Sequence, residues 1–125
     1  IRIPAIRGEN TRIELRSPDP ASNPYLLFAT CLAAGLDGIR RQLDPGPSLN
    51  TNFYAMNAEE RAVRKILDLP QSLQEALDEL EKDKLMHEVL GEHVMEKYMA
   101  SKRREWGEYR KVVTQWEIDQ YLRQY

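Results

Sequence analysis

The sequence contains one cysteine, Cys31, and only two histidines among its 125 residues. A single cysteine cannot form a disulfide within the chain, which fits a reducing, cytoplasmic location. Because Cys31 lies in an apolar run, we predict that it is a small buried side chain and not a nucleophile. The sequence also lacks a His/Cys metal cluster, a glycine-rich phosphate loop and a Ser-His-Asp set.

Long apolar runs and an excess of positive charge are missing as well. No apolar run reaches the ~18 residues that a membrane-spanning helix needs. The net charge of −2 gives no general attraction to nucleic acid or to an anionic membrane. Charged residues at 30% and hydrophobic residues at 42% are ordinary for one modest globular domain. The chain opens on a strand-like segment without an initiator methionine, so we expect a part of a longer protein.

Charged and apolar side chains alternate near the N-terminus, where Arg12, Glu14 and Arg16 are interleaved with Ile13 and Leu15. An extended strand would place the three charged side chains on one face. Two interpretations stay open on these residues alone. The face is either an edge strand that shows salt-bridged charges to water, or the wall of a site. In a site, the carboxylate would bind a metal ion and the guanidiniums would bind phosphate or carboxylate.

A second short strand is predicted from Ile1 to Ala5, and Gly8-Glu9-Asn10 has the composition of a turn between the two strands. The strands would pair with each other or with strands outside this chain. Arg2 would then lie near the charged face of the second strand, or be a solvated edge arginine.

The remainder is predicted to be helical. Asn23-Pro24 supplies an N-cap and a first-turn proline for an apolar helix that runs to about Leu43 and needs burial on most sides. The expected fold is therefore α+β, an N-terminal strand pair followed by a mostly α-helical body. Further helices are predicted from Asn57 to about Leu67, from Ser72 through Leu80, from Asp83 to Leu90, from Glu92 to about Val113, and from Thr114 onwards.

Several sequence blocks occur in a specific order and spacing: RIPAIRG (Arg2 to Gly8), TRIELRSPDPASNPYL (Thr11 to Leu26), AAGLDGI (Ala33 to Ile39) and the ending WEIDQYLRQY. Together they resemble the C-terminal part of the catalytic domain of type I glutamine synthetases, over the whole length of the chain. The resemblance favours the site-wall interpretation of the charged face. It implies active-site strands and a loop in residues 1–22, and a helical region with a tail helix in residues 23–125.

The resemblance also implies a reaction. Glutamine synthetases join L-glutamate and ammonium with ATP through γ-glutamyl phosphate, using Mg²⁺ or Mn²⁺. Glu14 matches the family's metal-binding glutamate, and Arg16 matches the arginine that binds substrate glutamate or the transferring phosphoryl group. Arg2 and Arg12 match arginines that bind ATP. The resemblance thus implies that Arg12 and Arg16 are catalytic residues. The other metal ligands would lie upstream, and this chain alone should be inactive.

The resemblance is strongest to the feedback-inhibited type of Gram-positive bacteria. Tyr54 aligns with a tyrosine that enterobacterial relatives adenylylate, but the residues after it differ, and this modification is not expected. Glu9 replaces a lysine that touches ATP in those relatives, so no nucleotide contact is assigned to it. Trp116 to Tyr125 matches a C-terminal helix that packs on a subunit of the opposite ring of a dodecamer of two hexameric rings and takes part in contacts with a nitrogen-regulatory repressor.

Three alternatives remain open. The parent protein could be a γ-glutamyl ligase that uses another amine instead of ammonia. The chain could be a non-catalytic module for assembly or regulator binding. It could also belong to a catalytically dead relative with a structural role.

Overall fold

The computed structural model describes residues 1–52 and 55–122, and the chain divides into two compact units, Ile1–Gln42 and Leu43–Tyr125. Helices make up most of the second unit, and the first unit holds one α-helix. Tyr54 lies outside the described residues. The helices are α1 (Pro24–Arg40), α2 (Ala58–Val63), α3 (Leu73–Lys82), α4 (Lys84–Tyr109) and α5 (Gln115–Glu117), which continues as a π-helical turn (Ile118–Leu122).

The predicted N-terminal strand pair, and with it the α+β fold class, is wrong. The described residues contain a single antiparallel bridge between Arg2 and Glu14, and a short 3-10 turn (Gly8–Asn10) lies between them. In this register the next hydrogen-bonded pair along an antiparallel ladder would join Pro4 to Arg12. Proline has no backbone N–H to donate, so the ladder stops after one pair.

Side-chain caps set the helix starts as predicted. The Asn23 side chain accepts hydrogen bonds from the backbone N–H groups of Tyr25 and Leu26 at the start of α1. Asn57 with Glu60, and Thr114 with Glu117, form reciprocal capping boxes at α2 and α5. At α3 the box is half complete: Ser72 accepts from the Glu75 N–H, while the Glu75 carboxylate accepts from Gln71.

The buried core lies in the hairpin of α3 and α4. Leu77 on α3 is 2% exposed, and Met95 and Met99 on α4 are 4% and 7% exposed. Partly buried apolar side chains surround these three residues and complete the contact between the two helices. They are Leu73, Leu80, Met86 and Leu90.

Gly91 interrupts α4. Its backbone angles are φ 71° and ψ 159°, a combination that is open to glycine and strained for other residues. The prediction that one helix ends before Gly91 and another follows it is confirmed. The second part ends at Tyr109 and not near Val113, and α2 is shorter than predicted.

The apolar side chains of α1 are not covered. Tyr25, Phe28, Leu32 and Ile39 are 66% to 83% exposed, and no residue of α1 is buried. Cys31 is also exposed, so its predicted burial is wrong. Within residues 1–42 the remaining segments are a short 3-10 turn and extended chain, which supply no second helix face to cover α1. Among the described residues, no helix combines the length and the apolar character needed to cross a membrane.

Candidate functional site

The N-terminal bridge brings two distant charged residues side by side. The Arg2 N–H donates to the Glu14 carbonyl oxygen at 2.9 Å, and the Glu14 N–H donates to the Arg2 carbonyl oxygen at 2.8 Å. Gly8 opens the intervening turn with φ 80°, a left-handed conformation that favours glycine. The Thr11 N–H closes the turn on the Gly8 carbonyl oxygen at 3.0 Å. The turn and the bridge therefore hold the two charged side chains at one position.

Three guanidiniums converge on the Glu14 carboxylate. Oε2 accepts hydrogen bonds from Arg2 Nη1 at 2.9 Å and from Arg16 Nη2 at 3.1 Å. Oε1 accepts two from Arg12, from Nη2 at 3.0 Å and from Nε at 3.2 Å. We call these four residues the arginine cluster. The Glu14 side chain is 21% exposed, whereas the arginines are 52% to 70% exposed.

The arginine cluster keeps Glu14 ionised. The hydrogen bond from Arg2 lowers the pKa of Glu14 below its usual value, with further lowering from Arg12 and Arg16, and partial desolvation opposes the shift. Three guanidiniums and one carboxylate leave a net charge of +2 on the cluster. An exposed group of arginines with net positive charge is suited to bind phosphate or carboxylate through paired N–H donors.

The structure places all four residues that the sequence singled out in this one cluster. No strand ladder forms here. The alternation of charged and apolar residues nevertheless grouped Arg12, Glu14 and Arg16 correctly, since all three lie in the cluster. Sequence reasoning missed that Glu14 is the common acceptor of all three arginines. A signal was present for two of the three: residues two apart in an extended segment share a face, so Arg-x-Glu-x-Arg places Arg12 and Arg16 beside the glutamate, although the spacing does not determine their hydrogen bonds.

The arginine cluster by itself does not fit a divalent cation. An ionised carboxylate offers about four acceptor sites, and here four N–H donors fill them. Among residues 1–52 and 55–122, no group of three or more His, Cys, Asp or Glu side chains could hold a metal ion. A metal site that includes Glu14 would need further ligands from outside the described residues and a change in the arginine contacts.

A second group of charged side chains ties α3 to α4. Arg103 Nη2 lies 2.6 Å from Glu81 Oε2, and the His87 Nε2 atom lies 3.0 Å from the Glu81 carbonyl oxygen. Lys102 pairs with Glu105 on the same helix at 2.6 Å. These ion pairs lie on the surface of the hairpin, where each contributes little to stability, and they need no ligand.

Comparisons with known proteins show which family the chain belongs to. The family model described as "Glutamine synthetase, catalytic domain" matches residues 1–121. Over 122 residues the chain is 52% identical to the glutamine synthetase of Methanosarcina mazei, covering 98% of the chain and 27% of that protein. Over 125 residues it is 52% identical to the glutamine synthetase of Thermus thermophilus, covering 100% of the chain and 28% of that protein.

A solved structure described as "GmaS/ADP complex-Conformation 1" is also similar. The match has a TM-score of 0.74 and 38% sequence identity, and it covers 86% of this chain and 24% of that one. The chain therefore belongs to the glutamine synthetase catalytic-domain family. It spans 27% of the length of the Methanosarcina relative. In general, glutamine synthetases act on glutamate, ammonia and ATP and use a divalent metal.

Proposed function

We propose that this chain is a segment of an ATP-dependent ligase that joins ammonia to L-glutamate through γ-glutamyl phosphate. The observation that carries the proposal is the arginine cluster, which lies in the segment matched by the catalytic-domain family. Phosphoryl transfer depends mainly on positioning and on offsetting negative charge, and a group of exposed guanidiniums provides both.

Each residue of the cluster has a proposed role. Arg2 and Arg12 bind the phosphates of ATP, and Arg16 binds the glutamate carboxylate or the transferring phosphoryl group. Arg12 and Arg16 are the proposed catalytic residues, since they would touch the reacting groups. Glu14 is the proposed oxygen ligand of Mg²⁺ or Mn²⁺, with the remaining ligands supplied by parts of the enzyme outside this chain. The chain alone is therefore expected to be inactive.

The donor geometry of Arg12 supports these assignments. Arg12 presents Nε and Nη2 together to Oε1 of Glu14, so its guanidinium edge is already oriented towards an oxygen anion. A phosphate or carboxylate oxygen has the same acceptor chemistry. Lysine at this position would keep the charge but lose the paired donors, so the cluster is built for planar, two-bond recognition.

We also propose assembly and regulator contacts for the tail. Trp116, Tyr121 and Leu122 are 59% to 72% exposed, and the two aromatic rings meet edge to face with centroids 6.1 Å apart. An exposed aromatic and aliphatic surface of this kind is suited to bury itself against another protein. It supports the proposal that the tail contacts a neighbouring subunit of a dodecamer and a nitrogen-regulatory repressor.

The test of the proposed reaction is phosphate release from ATP by the full-length protein, with Mg²⁺ or Mn²⁺ present. Release that requires both L-glutamate and ammonium supports the proposal. Release with another amine but not with ammonium would replace it with a sister γ-glutamyl ligase. No release with any amine in a panel would contradict both and favour a non-catalytic role in assembly or regulator binding.

A further inference from the structure

A side chain, and not a strand neighbour, binds the carbonyl oxygen of Pro4. In the register of the N-terminal bridge, a ladder would bring the backbone N–H of Arg12 to this oxygen. In the structure Nη1 of Arg7 lies 2.5 Å from the Pro4 carbonyl oxygen and 3.1 Å from that of Ile6. Pro4 is buried, and a buried carbonyl without a partner is costly. The Arg7 guanidinium therefore takes the place of the strand neighbour.

Arg7 lies at the start of the turn that joins the two sides of the arginine cluster. It directly precedes Gly8, and its backbone is extended, with φ −126° and ψ 179°. By binding the carbonyl oxygens of two nearby residues, its guanidinium fixes the direction in which the chain leaves Pro4. At the other end of the turn, Nη1 of Arg12 donates to the Asn10 carbonyl oxygen at 3.3 Å. A guanidinium bound to backbone oxygen thus holds each end of the turn.

Arg7 differs in its contacts from the three arginines of the cluster. Those arginines donate to the Glu14 carboxylate, whereas both hydrogen bonds of Arg7 go to main-chain oxygens. We infer that Arg7 is a positioning residue, which holds the turn in the shape that brings Arg2 and Arg12 together. This inference rests on the proposed function, in which those two arginines bind the phosphates of ATP.

Hydrogen exchange in the full-length protein tests whether Arg7 holds the turn. Arg7→Met keeps most of the aliphatic stem and removes every N–H donor of the side chain. We expect the bridge amides of Arg2 and Glu14 to exchange about fivefold faster in this variant, the effect of one net hydrogen bond lost from the turn. Mass spectrometry of peptides that cover residues 1–16 measures the change. Arg7→Lys keeps charge and donors and should recover most of the protection.

ADP binding to the same full-length variants, measured by calorimetry in one buffer, tests whether the turn positions the site. Displaced arginines bind phosphate less tightly, so we expect the Kd of Arg7→Met for ADP to rise about tenfold, with the number of sites per chain unchanged. A merely structural role would lower the number of sites and leave the Kd unchanged, since misfolded chains do not bind. Arg7→Lys should stay within about threefold of the wild type, because an ammonium also donates to carbonyl oxygens.

Arg40→Met is the matched control. Arg40 is an exposed arginine at the end of α1 in the same unit, so its replacement removes the same charge. The side-chain hydrogen bonds to the carbonyl oxygens of the turn come from Arg7 and Arg12, so Arg40→Met should match the wild type in exchange and in ADP affinity. An equal rise of the Kd in Arg40→Met would overturn the inference by showing a general charge effect.

The outcomes separate this inference from the proposed reaction. Unchanged exchange at the bridge in Arg7→Met overturns the positioning role, and weaker ADP binding would then show that Arg7 contacts the nucleotide itself. Faster exchange with an unchanged Kd also overturns it, as does absence of ADP binding by the wild type, since the turn would then position no nucleotide site. Faster exchange with weaker ADP binding, in a protein without ligase activity, would support the positioning role and contradict the reaction.

Discussion

Arg2 and Glu14 are joined by three hydrogen bonds, two between their backbones and one, at 2.9 Å, between guanidinium and carboxylate. The backbone pair fixes where the side chains meet, and the side-chain pair belongs to a larger cluster with Arg12 and Arg16. Backbone atoms thus fix the position of the cluster, and side-chain atoms determine its charge. Side chains in this cluster can be changed without removing the bridge that holds its backbone.

Replacement of Glu14 by alanine tests its role in the parent enzyme. We expect Glu14→Ala to reduce glutamate- and ammonium-dependent phosphate release by at least about a hundredfold, since Glu14 is the proposed metal ligand and loss of a ligand exceeds the loss of an outer-shell partner. Subunit assembly, measured by analytical ultracentrifugation, should change little because the carboxylate is on the surface and the backbone bridge remains. Glu9→Ala is the control and should keep its activity. Near-normal turnover of Glu14→Ala would contradict the assignment of Glu14 to the active site.

The helical hairpin should depend strongly on Leu77. Leu77→Ala creates a cavity beside Met95 and Met99 and should destabilise the hairpin by about 2–4 kcal/mol, measured by urea unfolding followed by helical circular dichroism. Leu67→Ala removes the same atoms from a side chain that is 90% exposed and should change stability by less than about 0.5 kcal/mol. Equal effects of the two substitutions would contradict the assigned core.

Two glycines of α4 should respond in opposite directions to alanine. Gly91 has φ 71°, so Gly91→Ala should destabilise the hairpin by about 1–3 kcal/mol through backbone strain. Gly107 lies in the regular part of the helix with no atom within 4 Å of an added Cβ. Gly107→Ala should therefore stabilise the helix by about 0.5–1 kcal/mol. Thermal unfolding of both variants measures the difference, and stabilisation by Gly91→Ala would show that the break is not required.

The start of α5 should weaken in acid. The Thr114 backbone N–H, at 2.7 Å, and then its hydroxyl lower the pKa of Glu117 below 4.5. A carboxyl whose pKa is lower in the folded state contributes stability that is present above pH 4.5 and is lost as the pH falls through the lowered pKa. Protection of the amide hydrogens of residues 115–122, expressed relative to their intrinsic exchange rates at each pH, should fall across this range. Glu117→Gln cannot titrate, so its protection should lack this fall; a retained fall would exclude Glu117 as its source.

Local chemistry in the sequence predicted much of the fold. Caps at Asn23, Asn57 and Thr114 marked helix starts because each supplies a short polar side chain for otherwise unpaired N–H groups. Leu77 lies in the helix predicted from Ser72 through Leu80, and it is buried. The predicted strand pair does not form, because Pro4 has no N–H to donate to the ladder. The sequence shows the proline, but its effect depends on the register of the bridge.

The sequence predicted which residues form the arginine cluster, but it did not predict the hydrogen bonds between them. Alternation placed Arg12 and Arg16 beside Glu14, whereas Arg2 was brought near only by a supposed hairpin. That all three arginines share one acceptor depends on side-chain conformations, which no spacing rule determines. The exposure of Cys31 could not be predicted from its apolar neighbours, since burial depends on what packs against α1.

The break at Gly91 sets the rotational phase of the two parts of α4. Each residue of an α-helix turns the side-chain direction by about 100°, so Met86 and Met95, nine positions apart, would point in directions about 180° apart in an uninterrupted helix. Both nevertheless pack against the cluster around Leu77. The non-helical glycine thus lets the apolar stripes before and after it face the same partner helix, although a continuous helix would point them in different directions. Inserting a single residue beside Gly91 would rotate one stripe away from α3.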